Sequence, residues 1–373
     1  MTRAPGNTTA LRFALVGDAQ SPHLAKWARA LAPRVELWVA SSTGLHAAIR
    51  DCVPEQRCLV LGTQPDVSGG NVGLLRQLPR LARWLAQVDA DWINPHYLTS
   101  HGTLVWAAKL GWRLRGSILA SAWGSDVLVT PQRRAVHRWA LRRVLAAAAL
   151  ATSDSQSMAE RMRQLGSRDV MVFPFGLEAM PLVTAGAAKQ AWLFYANRGL
   201  EPVYRPERVL HWFQSLAAWQ PDAQLVVAND GSMRAALETW VRKHGLADRV
   251  RFVGRLSPDA QNAWYDRAQW FLSLPASDSV AVSVIEAMAH GCLPVLSDLP
   301  ANRELVTHGV NGLIAPEGGL AKPAELAALL AMAPEVARRN RDWVADHGVF
   351  GPCIERLLAR LQVGASSPVG VPA

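Results

Sequence analysis

Short apolar runs recur along the chain, separated by longer stretches in which apolar positions return at helical spacing. Leu11–Val16, Val35–Ala40, Cys58–Leu61, Trp92–Asn94, Ile118–Ser121 and Met171–Phe173 read as buried strands. The intervening Pro22–Leu31, Val72–Gln87, Leu104–Leu110, Gln132–Ala147 and Met158–Gln164 read as helices. Alternation of this kind predicts right-handed βαβ units, and hence an α/β fold on a doubly wound parallel sheet. The pattern pauses over residues 178–190, which contain the small-residue run Thr184–Ala188, and then resumes. Trp192–Ala196, Leu225–Ala228, Val250–Val253, Trp270–Leu274, Leu293–Ser297 and Leu313–Ala315 supply a second set of strands. The organisation expected is therefore a first domain over 1–177, a linker over 178–190 and a second, similar domain over 191–348. A helix over 349–363 is expected to pack back on the first domain, ahead of a frayed tail over 364–373.

Composition narrows the class. The 373 residues are 50% hydrophobic and 18% charged, ample for large cores and incompatible with a disordered chain. Four scattered cysteines with no CxxC fit a reducing compartment, so a cytoplasmic protein is expected. The first apolar run is interrupted by Arg12 and stops at Gly17-Asp18, as a strand does and a secretory signal does not. The most apolar tract, Val144–Ala151, is far short of the ~20 residues that span a bilayer, so a soluble or peripheral protein is expected.

A formal charge of +9 asks for an acidic partner: nucleic acid, anionic lipid or a phosphorylated small molecule. Much of it sits in Gln132–Val144, where Arg134, Arg138 and Arg142 recur every fourth residue beside Arg133 and Arg143. Such a helix suits an anionic membrane surface, or simply a solvated face. Concentration on one helix, without aromatic interleaving or a recognisable motif, argues against nucleic acid. Asp89-Ala-Asp91 precedes a strand instead of following one and reads as surface; no His, Cys or acid cluster has metal spacing, so no metal is expected.

The most informative segment runs from Phe271 to Pro316. Asp278-Ser279 offers an N-cap, Val280–His290 reads as a helix, Gly291 stops it and Pro294-Val-Leu296 begins a strand. A helix start of this kind presents free amides and a positive dipole end to an anion such as a diphosphate. Glu286 follows Asp278 by eight residues, so two carboxylates could hold two hydroxyl-bearing parts of one ligand. The spacing alone equally suits an ordinary capped helix with a glutamate on its polar face.

The segment has an acid, seven residues, Glu286-Ala-Met-Ala-His-Gly-Cys-Leu-Pro-Val295, then x-Glu and x-Gly-x-x-Gly, and resembles the signature of the family-4 retaining glycosyltransferases of GT-B fold. The resemblance extends more weakly over nearly the whole chain. It implies two Rossmann-like domains facing across a cleft, with a nucleotide-sugar donor held mainly by the second and a glycan or lipid-linked acceptor held mainly by the first. The use expected for such an enzyme is bacterial surface-polysaccharide synthesis, with no cofactor beyond the donor. By the same resemblance Glu286 accepts ribose hydroxyls. Asp278, where the family usually has Glu, bonds the donor sugar, and the amides around Ser279, Val280, Ala281 and Val282 cradle the diphosphate.

Further matches are shorter. Tyr195-Ala-Asn-Arg198 resembles the strand end that supplies an arginine to the diphosphate; no lysine follows at the family's spacing, so Arg205 or Arg208 has to supply a second charge. Asn229-Asp230-Gly231-Ser232 resembles an architectural turn, and Gly254-Arg255 the loop beside the base. In the first domain Gly17 and His23 match the loop near donor phosphates and acceptor, and His96 a loop that often carries an acceptor-side histidine. His23 and His96 equally suit helix capping and structural roles. The chief departure is Trp123, where the family commonly has a histidine that contacts the donor sugar, followed by Gly124-Ser125-Asp126. Tryptophan accepts no proton, which turns attention to Asp126 and to stabilisation of the leaving diphosphate. Two rivals remain at this stage: a GT-B relative with other chemistry, such as an epimerase, and a binding protein that has lost turnover.

Overall fold

The computed structural model describes residues 10–63, 72–182 and 189–365; the run 184–188 and the tail from 366 lie outside them. The chain divides into two compact units, one formed by residues 1–154, 158–172 and 351–373, the other by 155–157 and 173–350.

The first unit is built on seven strands: β1 (Arg12–Gly17), β2 (Glu36–Ser41), β3 (Cys58–Val60), β4 (Trp92–Pro95), β5 (Ser117–Ser121), β6 (Leu150–Ser153) and β7 (Val170–Val172). All pair in parallel, in the order β3-β2-β1-β4-β5-β6-β7. One strand more is present than the sequence pattern predicts. β6 follows closely on the alanine-rich end of the helix Ala135–Ala147, with only Ala148, which turns extended, and Ala149 between the two. An unbroken apolar tract hides such a boundary, because helix and buried strand are equally apolar.

Two predicted helices are interrupted. The stretch from Val72 forms Val72–Leu75 and then Leu78–Val88, with Pro79 in the first turn of the second, where its missing N–H costs nothing. The basic stretch forms Thr130–Arg133 and Ala135–Ala147, with Arg134 extended (φ −146°, ψ 137°) between them. Arg134 therefore falls outside the repeat expected of it, Arg133 lies on the shorter helix, and Arg138, Arg142 and Arg143 share the longer one. The last helix, Phe350–Ala365, folds from Gly351 onward with the first unit, and Arg34–Glu355 (2.6 Å) and Arg360–Asp169 (2.7 Å) pin it there.

The second unit carries six parallel strands: β8 (Gln190–Ala196), β9 (Gln224–Ala228), β10 (Val250–Gly254), β11 (Ala268–Ser273), β12 (Leu293–Ser297) and β13 (Leu313–Ala315), in the order β10-β9-β8-β11-β12-β13. Alternate residues feed cores on the two faces: Phe194 and Trp270 on one, Tyr195 and Phe271 on the other. The chain enters and leaves this unit side by side. Leu177 N–H donates to Gly348 O and Phe350 N–H to Leu177 O, both at 2.7 Å, and a Cβ on Gly176 would strike the Gly348 carbonyl.

In each sheet the winding reverses once, between β1 and β4 in the first and between β8 and β11 in the second. The carboxyl ends of strands flanking such a reversal form a crevice, which is where open parallel sheets bind ligands.

Candidate functional site

The second unit's reversal point gathers most of the residues singled out from sequence. Arg198 follows β8, Asp278 follows β11, and the helix Val282–Ala289 comes next. The helix starts later than the sequence suggests. Ala281 is its N-cap and provides no side-chain bond, and Asp278 stands four residues ahead of the first turn, in the loop. Asp278 instead accepts from Ser279 N–H (3.1 Å) and pairs with Arg198 Nη2 at 2.6 Å. Burial raises its pKa; the Arg198 charge and the Ser279 amide oppose that. The guanidinium of Arg198 lies over the Tyr204 ring (4.5 Å), and its Nε is buried without a hydrogen-bond partner. Donors thus remain on Arg198 for an anion beside the uncapped helix start.

Ser279 is buried with its hydroxyl 2.7 Å from that of Ser155; Val280 and Ala281 are buried, and Val282 opens the helix. Glu286 lies in the second helical turn and is half-buried, its Oε2 accepting from Tyr265 Oη at 2.9 Å. Arg205 does not turn to this site. Its guanidinium is shared by Glu207 (3.3 Å) and Glu317 (2.9 Å), which hold it protonated. Arg208 reaches the loop ahead of Asp278 instead, donating to Pro275 O at 3.4 Å, and burial lowers its pKa. Gly254 ends β10 at φ +72°, with its carbonyl accepting from Asn229 N–H at 2.6 Å, and Arg255 beyond it is exposed. Asp230-Gly231-Ser232 braces the Arg198 loop: Leu200 N–H donates to Asp230 O, and Ser232 binds Glu201 through N–H and hydroxyl.

The first unit's reversal point holds a second cluster. Gly17 ends β1 where a Cβ would crowd Leu24 and His96, so only glycine fits comfortably. His23 is exposed, near the start of the helix that follows; the cap there is Ser21, whose hydroxyl accepts from His23 N–H. His96 follows β4 and is fully enclosed. Trp123 Nε1–H donates to its Nδ1 (2.9 Å), and indole N–H is only a donor, so Nδ1 must be unprotonated. Its Nε2–H then donates to Asn94 Oδ1 (2.9 Å), whose amide nitrogen donates to Leu119 O and Ser121 Oγ. Burial and the neighbouring His101 drive the His96 pKa well down. Both ring nitrogens are spent, so His96 has none to offer an acceptor hydroxyl; it holds Trp123 in place.

Trp123 is half-buried, with the His23 ring tilted against it at 5.1 Å. Asp126 is not a surface carboxylate. It is completely buried, Oδ1 accepting from Trp123 N–H (2.9 Å) and Oδ2 from Leu98 N–H (2.7 Å), with its pKa raised by burial to about 6. It clamps the loops after β4 and β5 and has no oxygen left over to meet a sugar.

Sequence reasoning missed Tyr265, Asn197 and Asn94. Asn197 adjoins Arg198 and could have been suspected; Tyr265 and Asn94 carry no local signal, since only the tertiary fold brings them to Glu286 and His96. Among the described residues no group of three or more His, Cys, Asp or Glu side chains could hold a metal, and no helix is long and apolar enough to cross a membrane.

Comparison with known proteins agrees with this layout. Residues 12–155 match the family model "Glycosyl transferase 4-like" and residues 184–340 match "Glycosyl transferases group 1". The chain is 28% identical over 131 residues to the GDP-mannose:cellobiosyl-diphosphopolyprenol alpha-mannosyltransferase of Xanthomonas campestris, a match spanning 33% of each chain. It is 26% identical over 280 residues to the phosphatidyl-myo-inositol mannosyltransferase of Mycobacterium leprae, across 70% of this chain and 71% of that one. The crystal structure of Anabaena HepE in complex with UDP and glucose superposes with a TM-score of 0.70 at 18% identity, covering 94% of this chain and 99% of the other. With each half matched by a glycosyltransferase model and both sheets laid out in this way, the chain belongs among the family-4-like glycosyltransferases of GT-B fold.

Proposed function

We propose that the chain is a retaining hexosyltransferase that moves a sugar from a nucleoside-diphosphate donor to a glycan or lipid-linked glycan in bacterial surface-polysaccharide synthesis. The observation that carries the reading is the placement of Arg198, Asp278 and Glu286 around one uncapped helix start at the second sheet's reversal point. The diphosphate lies against Arg198 and the amides from Val282, Arg208 supplies the second charge, and Glu286 accepts the ribose hydroxyls. Asp278 binds the donor sugar once the phosphate competes for Arg198.

In the reaction the bond from the anomeric carbon to the β-phosphate oxygen breaks, and the acceptor oxygen bonds that carbon on the same face. The acceptor's proton passes to the released phosphate oxygen. Arg198 and the helix amides stabilise the charge that develops there, an effect worth several kcal/mol in preorganised sites. This route suits a site with Trp123 in place of a histidine, and with His96 locked neutral by internal bonds. No metal enters it. Trp123, flanked by His23, offers a face on which an acceptor ring stacks.

The acceptor is lipid-linked in this reading, and the first unit docks on the inner membrane face. The packed helices Thr103–Trp112 and Ala135–Ala147 expose Leu110 (63%), Val136 (60%) and Trp139 (50%). Arg138, Arg142 and Arg143 share the second of these helices, and Arg113 follows the first. Apolar anchors ringed by arginines match an anionic bilayer surface.

Thermal unfolding with UDP, GDP, ADP and TDP tests the donor site. A nucleotide at a hundredfold excess over Kd stabilises the fold by about 2.7 kcal/mol, and Glu286→Ala should markedly reduce the shift. No shift with any of the four refutes the donor site. A shift without transfer or hydrolysis of the matching sugar nucleotide leaves a binding protein in place of an enzyme.

A further inference from the structure

Glu286 does not stand alone. Tyr265, on the helix Pro258–Arg267, is fully buried, and its hydroxyl lies 2.9 Å from Glu286 Oε2, 2.7 Å from Asn197 Nδ2 and 3.3 Å from Ser283 O. The second Asn197 amide hydrogen goes to Gln261 Oε1 at 2.9 Å. With both amide hydrogens committed, Asn197 occupies a lone pair of the tyrosine oxygen as donor, so the tyrosine proton must point elsewhere. Two acceptors are in reach, and the carboxylate is both nearer and charged, which decides the direction. Burial and the adjacent Glu286 push the Tyr265 pKa well up, so the hydroxyl keeps its proton.

We infer that Tyr265 is a positioning residue that turns Glu286 to receive a vicinal diol, making this site selective for ribonucleotides over 2′-deoxyribonucleotides. The inference rests on the reading above that this unit binds a nucleoside diphosphate. Glutamate has three side-chain torsions, and a carboxylate free to rotate pays rotamer entropy to meet two hydroxyls at once. The bond from Tyr265 holds Oε2 and leaves Oε1 for a ligand hydroxyl. Beside it, Asn197 Oδ1 and Ser283 Oγ are buried without hydrogen-bond partners, acceptor and donor capacity that a ligand hydroxyl would satisfy.

Calorimetric titration of the full chain with UDP and GDP, each against its 2′-deoxy counterpart, tests this. Wild type should prefer the ribonucleotide by about tenfold or more, the value of a hydrogen bond to a charged group. Tyr265→Phe should reduce that preference to about threefold or less, and in a Glu286→Ala background the same substitution should change nothing further, as expected when one residue acts only through another. Glu286→Asp pulls the carboxylate away from the hydroxyl without touching the buried ring and should likewise erase the preference, so the test survives a Tyr265→Phe chain that fails to fold. A Tyr265→Phe chain that binds more weakly but with the full preference shows a merely structural role and overturns the inference. Retention of the preference in Glu286→Asp overturns it too. Wild-type binding without discrimination removes the Glu286–ribose contact and this inference with it, whereas no binding of either nucleotide refutes the donor-site reading itself.

Discussion

Acidification should destabilise the first unit, and the sign of the effect follows from three buried groups. His96 is held neutral by a donor facing its Nδ1, and burial carries its pKa well below 6.5. His101 is equally enclosed, with its Nδ1–H donating to His96 O (3.0 Å) and its Nε2 buried without a partner; its pKa falls to about 4. A histidine whose pKa drops on folding binds fewer protons in the native state. Its contribution is therefore intact above the unfolded pKa and is lost as pH falls below 6.5, down to the folded pKa. Between pH 7 and pH 5 that amounts to about 2 kcal/mol for His101, and His96 adds to the loss in the same direction. Asp126 acts in the opposite sense, since its pKa rises to about 6 on folding, so acidification returns about 1 kcal/mol over the same interval.

His101 outweighs Asp126 by about 1 kcal/mol and His96 enlarges the difference, so the net loss is at least about 2–4 °C in Tm for a unit of this size. Scanning calorimetry at pH 7 and pH 5 reads it directly. His101→Asn keeps a donor toward His96 O but does not titrate, and it should shrink the loss by about 2 kcal/mol. A wild-type transition equally stable at both pH values, or an unchanged pH dependence in His101→Asn, would refute the reasoning.

Arg198→Ala should lower kcat/KM by about a hundredfold or more, the cost of removing a preorganised donor to the departing charge. Arg205→Ala should cost less than about threefold, because its charge is already shared by Glu207 and Glu317 and exposed pairs contribute little. Steady-state transfer rates decide both; equal losses at the two positions would reverse the assignment of the diphosphate. For the membrane reading, Trp139→Ser with Arg142→Ser should weaken co-sedimentation with phosphatidylglycerol vesicles, by about fivefold for the arginine alone and more with the tryptophan. Binding that ignores these residues, or that is equal on neutral vesicles, removes the docking surface.

Much of the fold is legible in the sequence because parallel strands buried on both faces are short apolar runs, and the helices between them are amphipathic. Failures occurred where two elements share one composition. β6 is invisible inside the tract from Val144 to Ala151, since nothing polar marks the change from helix to strand. The breaks at Gln77 and Arg134 are similarly silent, although Pro79 and Pro131, each in a first helical turn, hold the clue.

The candidate site divides along a different line. Arg198, Asp278 and Glu286 follow strands of one sheet, so a motif on each strand end is enough to collect them. What a motif cannot convey is which charges are already spent. Arg205 and Arg208 are equally good phosphate ligands on paper; the fold hands the first to Glu207 and Glu317 and leaves the second beside the Pro275 loop. His96 and Asp126 show the same thing on the acceptor side. Both are residue types that chemistry would choose for proton transfer, and both are consumed by Trp123, one through the indole N–H and the other through the backbone amide. The substitution of tryptophan at that position is therefore not an isolated loss of a histidine. It occupies His96 and Asp126 with its own support, which, with Leu98 N–H on the second carboxylate oxygen, leaves neither side chain an atom for proton transfer.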